Sequence, residues 1–236
     1  MVRRGAIDRA ACAAMLDRVV TIARAQAAGD GGDATLVLPE VHLRHAPGAA
    51  EDRVSKIFRL HRDPVFADVA SSDAVVMPVR ELLGSRLDCF LSQFIFKNPG
   101  AYGQPWHQDS FYFPFDTPGG AHQVGAWVAV TAATLENGCL WVLPGSHHEP
   151  VHEHVPDARP DAQLGYVEIV DHDITDEEPV LMDPGDLLLF DSHLMHRSTD
   201  NESDGLRAAM VYHYTPTGTV DRSENRFGVH DFVSIT

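Results

Sequence analysis

From Asp88 onward the chain is a succession of short β-forming runs cut by Gly/Pro turns, and this limits its possible folds more than any other feature. The runs are "CFLSQFIFK", "QPWHQDSFYF", "VGAWVAVTAA", "CLWVLPGS", "GYVEIV", "PVLMDPGDLLLF" and "LRAAMVYHYT". Strands at this spacing predict a β-sandwich or barrel. The residues before them read differently. Residues 6–28 carry Ile7, Ala11, Met15, Val19 and Ile22 at three- and four-residue steps, an amphipathic helix that "GDGGD" (29–33) stops. Residues 34–43 alternate loosely and predict a strand. Residues 52–83 predict two helices, the second with Asp73 as N-cap and Gly84 as C-cap. Segment 146–163, "SHHEPVHEHVPDARPDAQ", predicts a long polar loop over one end of the β core.

No internal repeat or long linker divides the 236 residues, so one domain over 1–236 is expected. Its parts are a mostly helical 1–87, a β core over 88–216 and a tail over 217–236. The opening "MVRRGAIDRAACAAML" has a brief apolar stretch, but Asp17 and Arg18 break it, which predicts a helix and not a signal peptide. No apolar stretch approaches the roughly 20 residues that cross a bilayer. A net charge of −16 argues against nucleic acid or an anionic membrane as partner. Three scattered cysteines, Cys12, Cys89 and Cys139, predict neither a disulfide framework nor a zinc–thiolate site, and they fit a cytoplasmic protein.

Histidine is over-used, with 14 copies, and spacing has to separate ligands from surface residues. In "WHQDSFYF", His107 and Asp109 are two apart, so on a strand both side chains face one side. An imidazole and a carboxylate make two thirds of the 2-His-1-carboxylate triad of non-haem iron(II) enzymes. The third ligand has to come from a distant strand, where "DSHLMHRS" offers His193 and His196. His61-Arg62-Asp63 and His147-His148-Glu149 meet a relaxed form of the motif. The first lies in a predicted helical region ahead of Pro64, and the second follows a "PGS" turn. Arg207 opens the strand after His196, across the turn "STDNESDG", and is placed to return beside it and face the same cavity. Its guanidinium suits bidentate carboxylate binding; the bland alternative is a surface ion pair. Ser198 shares a strand face with His196 and offers a hydroxyl, or is an ordinary turn serine.

"WHQD", then "NGCLWVLPGSHH", then "GDLLLFDSHLMHRSTDNESDGLRAAMVYHY" together resemble the phytanoyl-CoA dioxygenase family, and the likeness runs over roughly 54–216. The resemblance implies a mainly β fold with flanking helices: a double-stranded β-helix (jelly roll, cupin-like) core with N-terminal helices packed outside. It implies an oxygenase that uses Fe(II), 2-oxoglutarate as co-substrate and O2 to hydroxylate a C–H bond of a small molecule, releasing succinate and CO2. The family's metal ligands carry over onto His107, Asp109 and His196, and its co-substrate residues onto Arg207, Ser198 and Trp127. By the same analogy Gln93 and Lys97 reach the co-substrate or substrate. His193, three residues before His196, is then expected beside the site or on the surface. Gln108 points away if its strand is regular, and Trp106, Phe111 and Phe113 read as core. With Asp109 present, hydroxylation is favoured over the halogenation performed by relatives that lack this carboxylate. The competing readings are a metal- or ligand-binding β-helix without turnover, and a cupin-like enzyme that needs no keto acid. "SHHEPVHEH" could mark a second metal site but reads more simply as a polar loop.

Overall fold

A computed structural model describes residues 1–162, 165–223, 225 and 228–236. In chain order the first part holds β1 (Val2–Arg3), α1 (Arg9–Ala28), β2 (Leu36–Pro39), β3 (Val54–Phe58), α2 (Pro64–Ala70) and α3 (Asp73–Leu83). Then come β4 (Leu87–Lys97), β5 (Phe115–Asp116), β6 (Val124–Ala129), β7 (Leu140–Val142), β8 (Val155–Pro156) and β9 (Val167–Glu168). The chain finishes with β10 (Glu178–Val180), β11 (Leu187–Asp191), β12 (His196–Ser198), β13 (Arg207–Pro216), β14 (Val220–Asp221) and β15 (Val233–Ile235). The large sheet runs β1-β11-β6-β13-β4-β3-β2, with β15 also on β4; a small sheet runs β10-β7-β12. All pairings are antiparallel. This is a double-stranded β-helix with helices outside, as the β-run spacing and the family resemblance led us to expect.

Strand alternation builds two cores from one sheet. Ala208, Met210, Tyr212 and Tyr214 of β13, with Ala126 and Val128 of β6 and Leu187 and Leu189 of β11, face α1 and α3. The intervening Ala209, Val211, Trp127, Ala129, Leu188 and Phe190 face the small sheet and pack on Cys139, Leu140 and Met182. The helix α1 contributes Cys12, Met15, Val19 and Ala23. It begins where the Asp8 side chain accepts the Ala10 N–H, and it ends at Gly29, whose φ of 83° a residue with a Cβ adopts at a cost.

Several boundaries differ from expectation. Val54–Phe58, read as helix, is a strand buried along its whole length between β2 and β4. Burial on both faces removes the alternation that would have marked it. Helix α2 begins at Pro64, with the Asp63 carboxylate accepting the Val65 N–H; the N-cap of α3 is Ser72, one residue before Asp73. Gly84 caps α3 as expected. "GYVEIV" shortens to Val167–Glu168, and "PVLMDPGDLLLF" divides at the Asp183–Asp186 turn into β10 and β11. The loop expected over 146–163 contains β8, paired with β9; residue 163 lies outside the described residues. Among the described residues no helix is long and apolar enough to cross a membrane.

Candidate metal centre and its cavity

His107 and Asp109 do not lie on a regular strand. His107 makes an isolated antiparallel bridge to His196, exchanging both backbone hydrogen bonds at 3.0 Å, and Asp109 opens a 3-10 turn (Asp109–Tyr112). The i, i+2 relation survives because Gln108 is extended, with φ −116° and ψ 130°. Backbone pairing with β12 therefore brings the three side chains together. His107 Nε2 lies 3.5 Å and His196 Nε2 3.8 Å from Asp109 Oδ1. Three donors around one ion, at bonds of about 2.0–2.2 Å, stand roughly 3 Å apart, so this cage needs only slight contraction.

The tautomers are set as a metal requires. His107 Nδ1 donates to the Pro105 carbonyl (2.8 Å) and His196 Nδ1 to that of Leu194 (2.9 Å), which leaves both Nε2 lone pairs facing Asp109. Burial, then repulsion from His107, pushes His196 down to about 4, so its ring is neutral at physiological pH. Burial alone would raise Asp109. The surrounding imidazoles of His196, His107 and His213 outweigh it and hold the carboxyl well below its ordinary value. His213, on β13, donates Nε2–H to Asp109 Oδ2 at 2.8 Å and fixes the carboxylate from behind. Sequence reasoning missed His213, although the alternation from Arg207 through Ala209 and Val211 points to it.

The triad opens into a cavity of about 210 Å³. Arg207 lines it, 1% exposed. It is not beside His196 in one sheet as expected. β12 pairs with β7, whereas β13 pairs with β4 and β6, so the two residues sit on opposing sheets. The strand after the turn crosses the sandwich, because β12 is only three residues long and its partner edge is taken by β7 and His107. Arg207 Nη2 donates to the Gly138 carbonyl (2.9 Å), while Nε and Nη1 are buried without a partner among the described residues. Burial pushes Arg207 down to about 10, and it remains a cation at neutral pH. Trp127 lies under it, ring centroid 5.7 Å from the guanidinium carbon, with its own Nε1–H also buried and partnerless.

Ser198 Oγ accepts from Lys97 Nζ (2.7 Å) and from the Gln104 N–H (3.1 Å), so its own hydroxyl hydrogen is available to the cavity. Lys97 also donates to the Thr199 carbonyl; it is buried, with its ammonium directed at β12. Gln93 is on the cavity wall. Lys56 of β3, which the sequence reading passed over inside a supposed helix, is there too. Its ammonium donates to Gln104 Oε1 (3.3 Å) and lies over the Tyr166 ring (4.8 Å). Glu40, Tyr112, Tyr166 and, from the tail, Val229 and His230 complete much of the wall.

Gln108 is fully buried and clamps the neighbouring loop: Nε2 donates to the carbonyls of Pro150 and His193, and Oε1 accepts the His152 N–H. Trp106 packs with Leu143, Ile169 and Met195, and Phe113 with Phe90 and Leu91. Phe111, expected in the core, is 42% exposed and stacks on His154; the 3-10 turn rotates it outward. His193 is half-buried, stacked on His122 and away from the triad. His61 bonds Ser92 and the Asp231 carbonyl. Cys12, Cys89 and Cys139 are free and buried.

The sequence model described as phytanoyl-CoA dioxygenase (PhyH) matches residues 1–209. The chain belongs to the phytanoyl-CoA dioxygenase family. A phytanoyl-CoA dioxygenase domain-containing protein 1 from Rattus norvegicus is 34% identical over 170 residues, 69% of this chain and 57% of the rat protein. The chain spans about half the length of the curated relatives it matches. Among solved structures of similar fold, the epimerase SnoN, in complex with Fe3+, alpha ketoglutarate and nogalamycin RO, superposes with a TM-score of 0.70. It is 19% identical, over 98% of this chain and 84% of its own. EctD from S. alaskensis, with 2-oxoglutarate and 5-hydroxyectoine, gives 0.67 at 21% identity, over 92% and 71%. For this phytanoyl-CoA dioxygenase family member, the donor set is one that iron(II) accepts, and the partnerless N–H groups of Arg207 and Trp127 suit a carboxylate.

Proposed function

We propose that this protein is an Fe(II)- and 2-oxoglutarate-dependent dioxygenase that hydroxylates a C–H bond of a small organic substrate. One observation carries the reading: a buried Arg207 with two donor nitrogens that have no partner among the described residues shares a cavity with a His107–Asp109–His196 cage whose Nε2 lone pairs converge. An unpaired buried donor costs free energy, so it persists where a ligand completes it.

His107, Asp109 and His196 would hold iron(II), a donor set suited to a non-haem oxygenase. The chemistry such a centre supplies is oxidative: dioxygen is reduced as 2-oxoglutarate is decarboxylated to succinate and CO2, and one oxygen atom goes to the substrate. Arg207 neutralises a co-substrate carboxylate, with the Ser198 hydroxyl and Trp127 Nε1–H as further donors. Lys97 orients Ser198 by donating to its Oγ. Lys56 adds a second positive charge to the wall, and Gln93 is placed to contact co-substrate or substrate. His213 keeps the Asp109 carboxylate aimed at the cage through its Nε2–H. Phe58, Leu91 and Val229 form an apolar wall that takes the substrate's hydrocarbon portion and excludes water. The single-domain organisation and a cytoplasmic location belong to this same reading.

The test is 2-oxoglutarate affinity and substrate-dependent succinate release under air with iron(II). Arg207→Ala is expected to weaken 2-oxoglutarate binding roughly 10- to 100-fold, as loss of charge-assisted hydrogen bonds does. Unchanged affinity overturns the assignment in favour of a keto-acid-independent cupin-like protein.

A further inference from the structure

The described residues contain a second convergence of the same donor types, at residues that do not line the cavity. Glu149 Oε2 stands 2.8 Å from His152 Nε2 and 2.9 Å from His172 Nε2. The two rings meet nearly at right angles, 86°, with centroids 4.8 Å apart, and both Nε2 atoms converge on one oxygen. His172 Nδ1 donates to the Asp173 carbonyl at 2.7 Å, and Nε2 donates to Glu149 in the ion-free chain, the proton a cation would displace. His172 shares this arrangement with both histidines of the first triad: Nδ1 on a backbone carbonyl, and Nε2 facing a carboxylate oxygen shared with another imidazole. A third group, His122, Asp191 and His193, lacks it. Its imidazoles stack at 3.6 Å with planes only 28° apart, and His193 Nδ1 is also within 3.1 Å of the Ser110 hydroxyl.

We propose that Glu149, His152 and His172 form a second metal site that takes a borderline divalent cation of the zinc(II) class. Two imidazole nitrogens and one carboxylate oxygen are ligands for late first-row ions, whereas calcium and magnesium call for all-oxygen cages. The ligands are 15–39% exposed, which admits the ion and leaves room for a coordinated water. The net charge of −16 favours cation capture.

The site joins two stretches of one insert. Glu149 and His152 precede the β8–β9 hairpin and His172 follows it, while Tyr166, within the hairpin, lines the cavity. Both stretches are tied to the segment that carries His107. Gln108 bonds Pro150 and His152 on one side, and the Ile169 N–H donates to the Trp106 carbonyl at 2.8 Å on the other. A bound cation closes the base of this flap beside the iron-binding residues.

The experiment uses zinc(II) alone, in competition with a chromogenic chelator, on full-length protein whose first triad is disabled by His107→Ala and His196→Ala. One equivalent is expected to remain bound and to raise the melting temperature. In Glu149→Gln and in His152→Ala/His172→Ala added to that background, zinc affinity is expected to fall roughly 10-fold or more. If the triad-disabled protein does not fold, the wild-type chain and its His172→Ala variant are compared, and two equivalents are expected to become one. A folded triad-disabled protein that binds no zinc overturns the proposal, as does a His172→Ala chain that retains the wild-type count. In either case the cluster is an imidazolium–carboxylate network, and the iron reading is untouched.

Discussion

Asp109 is gripped from two directions, and the grip divides legible from illegible residues. His107, Asp109 and His196 were readable because a two-residue spacing within a run of aromatic residues, followed by a distant histidine, is a rare combination. Arg207 was readable because a single arginine opens the final long strand. His213 was hidden, since nothing in "VYHYT" separates a structural histidine from one that holds a ligand. Its Nε2–H on Asp109 Oδ2 has a consequence. His213→Ala is expected to weaken iron(II) binding about 10- to 100-fold, as outer partners of metal ligands do, and His213→Gln to recover part of it. Anaerobic iron titration reads this directly; an unchanged affinity would show that the carboxylate needs no support. Lys56 has a pH signature. Burial pushes its ammonium down to about 8, with Asp109 and Glu40 drawing it back up. Charged below that value and neutral above it, Lys56 attracts a dianion only on the acid side. Affinity for 2-oxoglutarate is expected to fall as pH rises through about 8, and Lys56→Met to bind more weakly with that step abolished. Calorimetry across this range decides it.

At the scale of elements, the site depends on short irregular pieces and not on regular strands. The extended Gln108, the His107–His196 bridge and the three-residue β12 place the candidate ligands, and all three lie below the resolution of hydrophobic periodicity. The long strands β4, β6, β11 and β13 were legible, because their runs are rich in β-formers. β3 was not, because it is buried on every side and sits between segments that read as helix. The turn before β7 shows how backbone shape reaches the chemistry. Gly138 has φ 81°, a Cβ there would stand 2.4 Å from the Thr199 carbonyl oxygen, and its own carbonyl accepts Arg207 Nη2. Gly138→Ala is expected to cost about 1–3 kcal/mol from the left-handed conformation. It is also expected to weaken 2-oxoglutarate binding by displacing the Arg207 acceptor. Urea denaturation alongside ligand titration tests both, and loss of stability with intact affinity would separate the turn from the guanidinium.

For the whole molecule, one sheet serves two masters: its odd-numbered β13 residues face the cavity and its even-numbered ones face the helices. That division makes stability and ligand binding separable along a single strand. Tyr212 and Tyr214 are buried, and their hydroxyls donate to the carbonyls of Phe66 (2.9 Å) and Ala70 (2.7 Å) in α2, which ties the helical layer to the back of the sheet. The N-terminal helices were legible from their spacing, but this tie was not, since it joins residues about 145 apart in sequence through two side-chain oxygens. Removing either hydroxyl leaves a buried carbonyl short of a donor, at about 1–3 kcal/mol. Tyr212→Phe and Tyr214→Phe are therefore expected to lower unfolding free energy by that amount each while leaving iron and 2-oxoglutarate affinities at wild-type values. The neighbouring residues Val211 and His213 keep their place on the opposite face because β13 remains paired on both sides, to β4 and β6. A drop in keto-acid affinity in either variant would mean that the strand moves as the helices loosen, and that the two faces are coupled through the backbone they share.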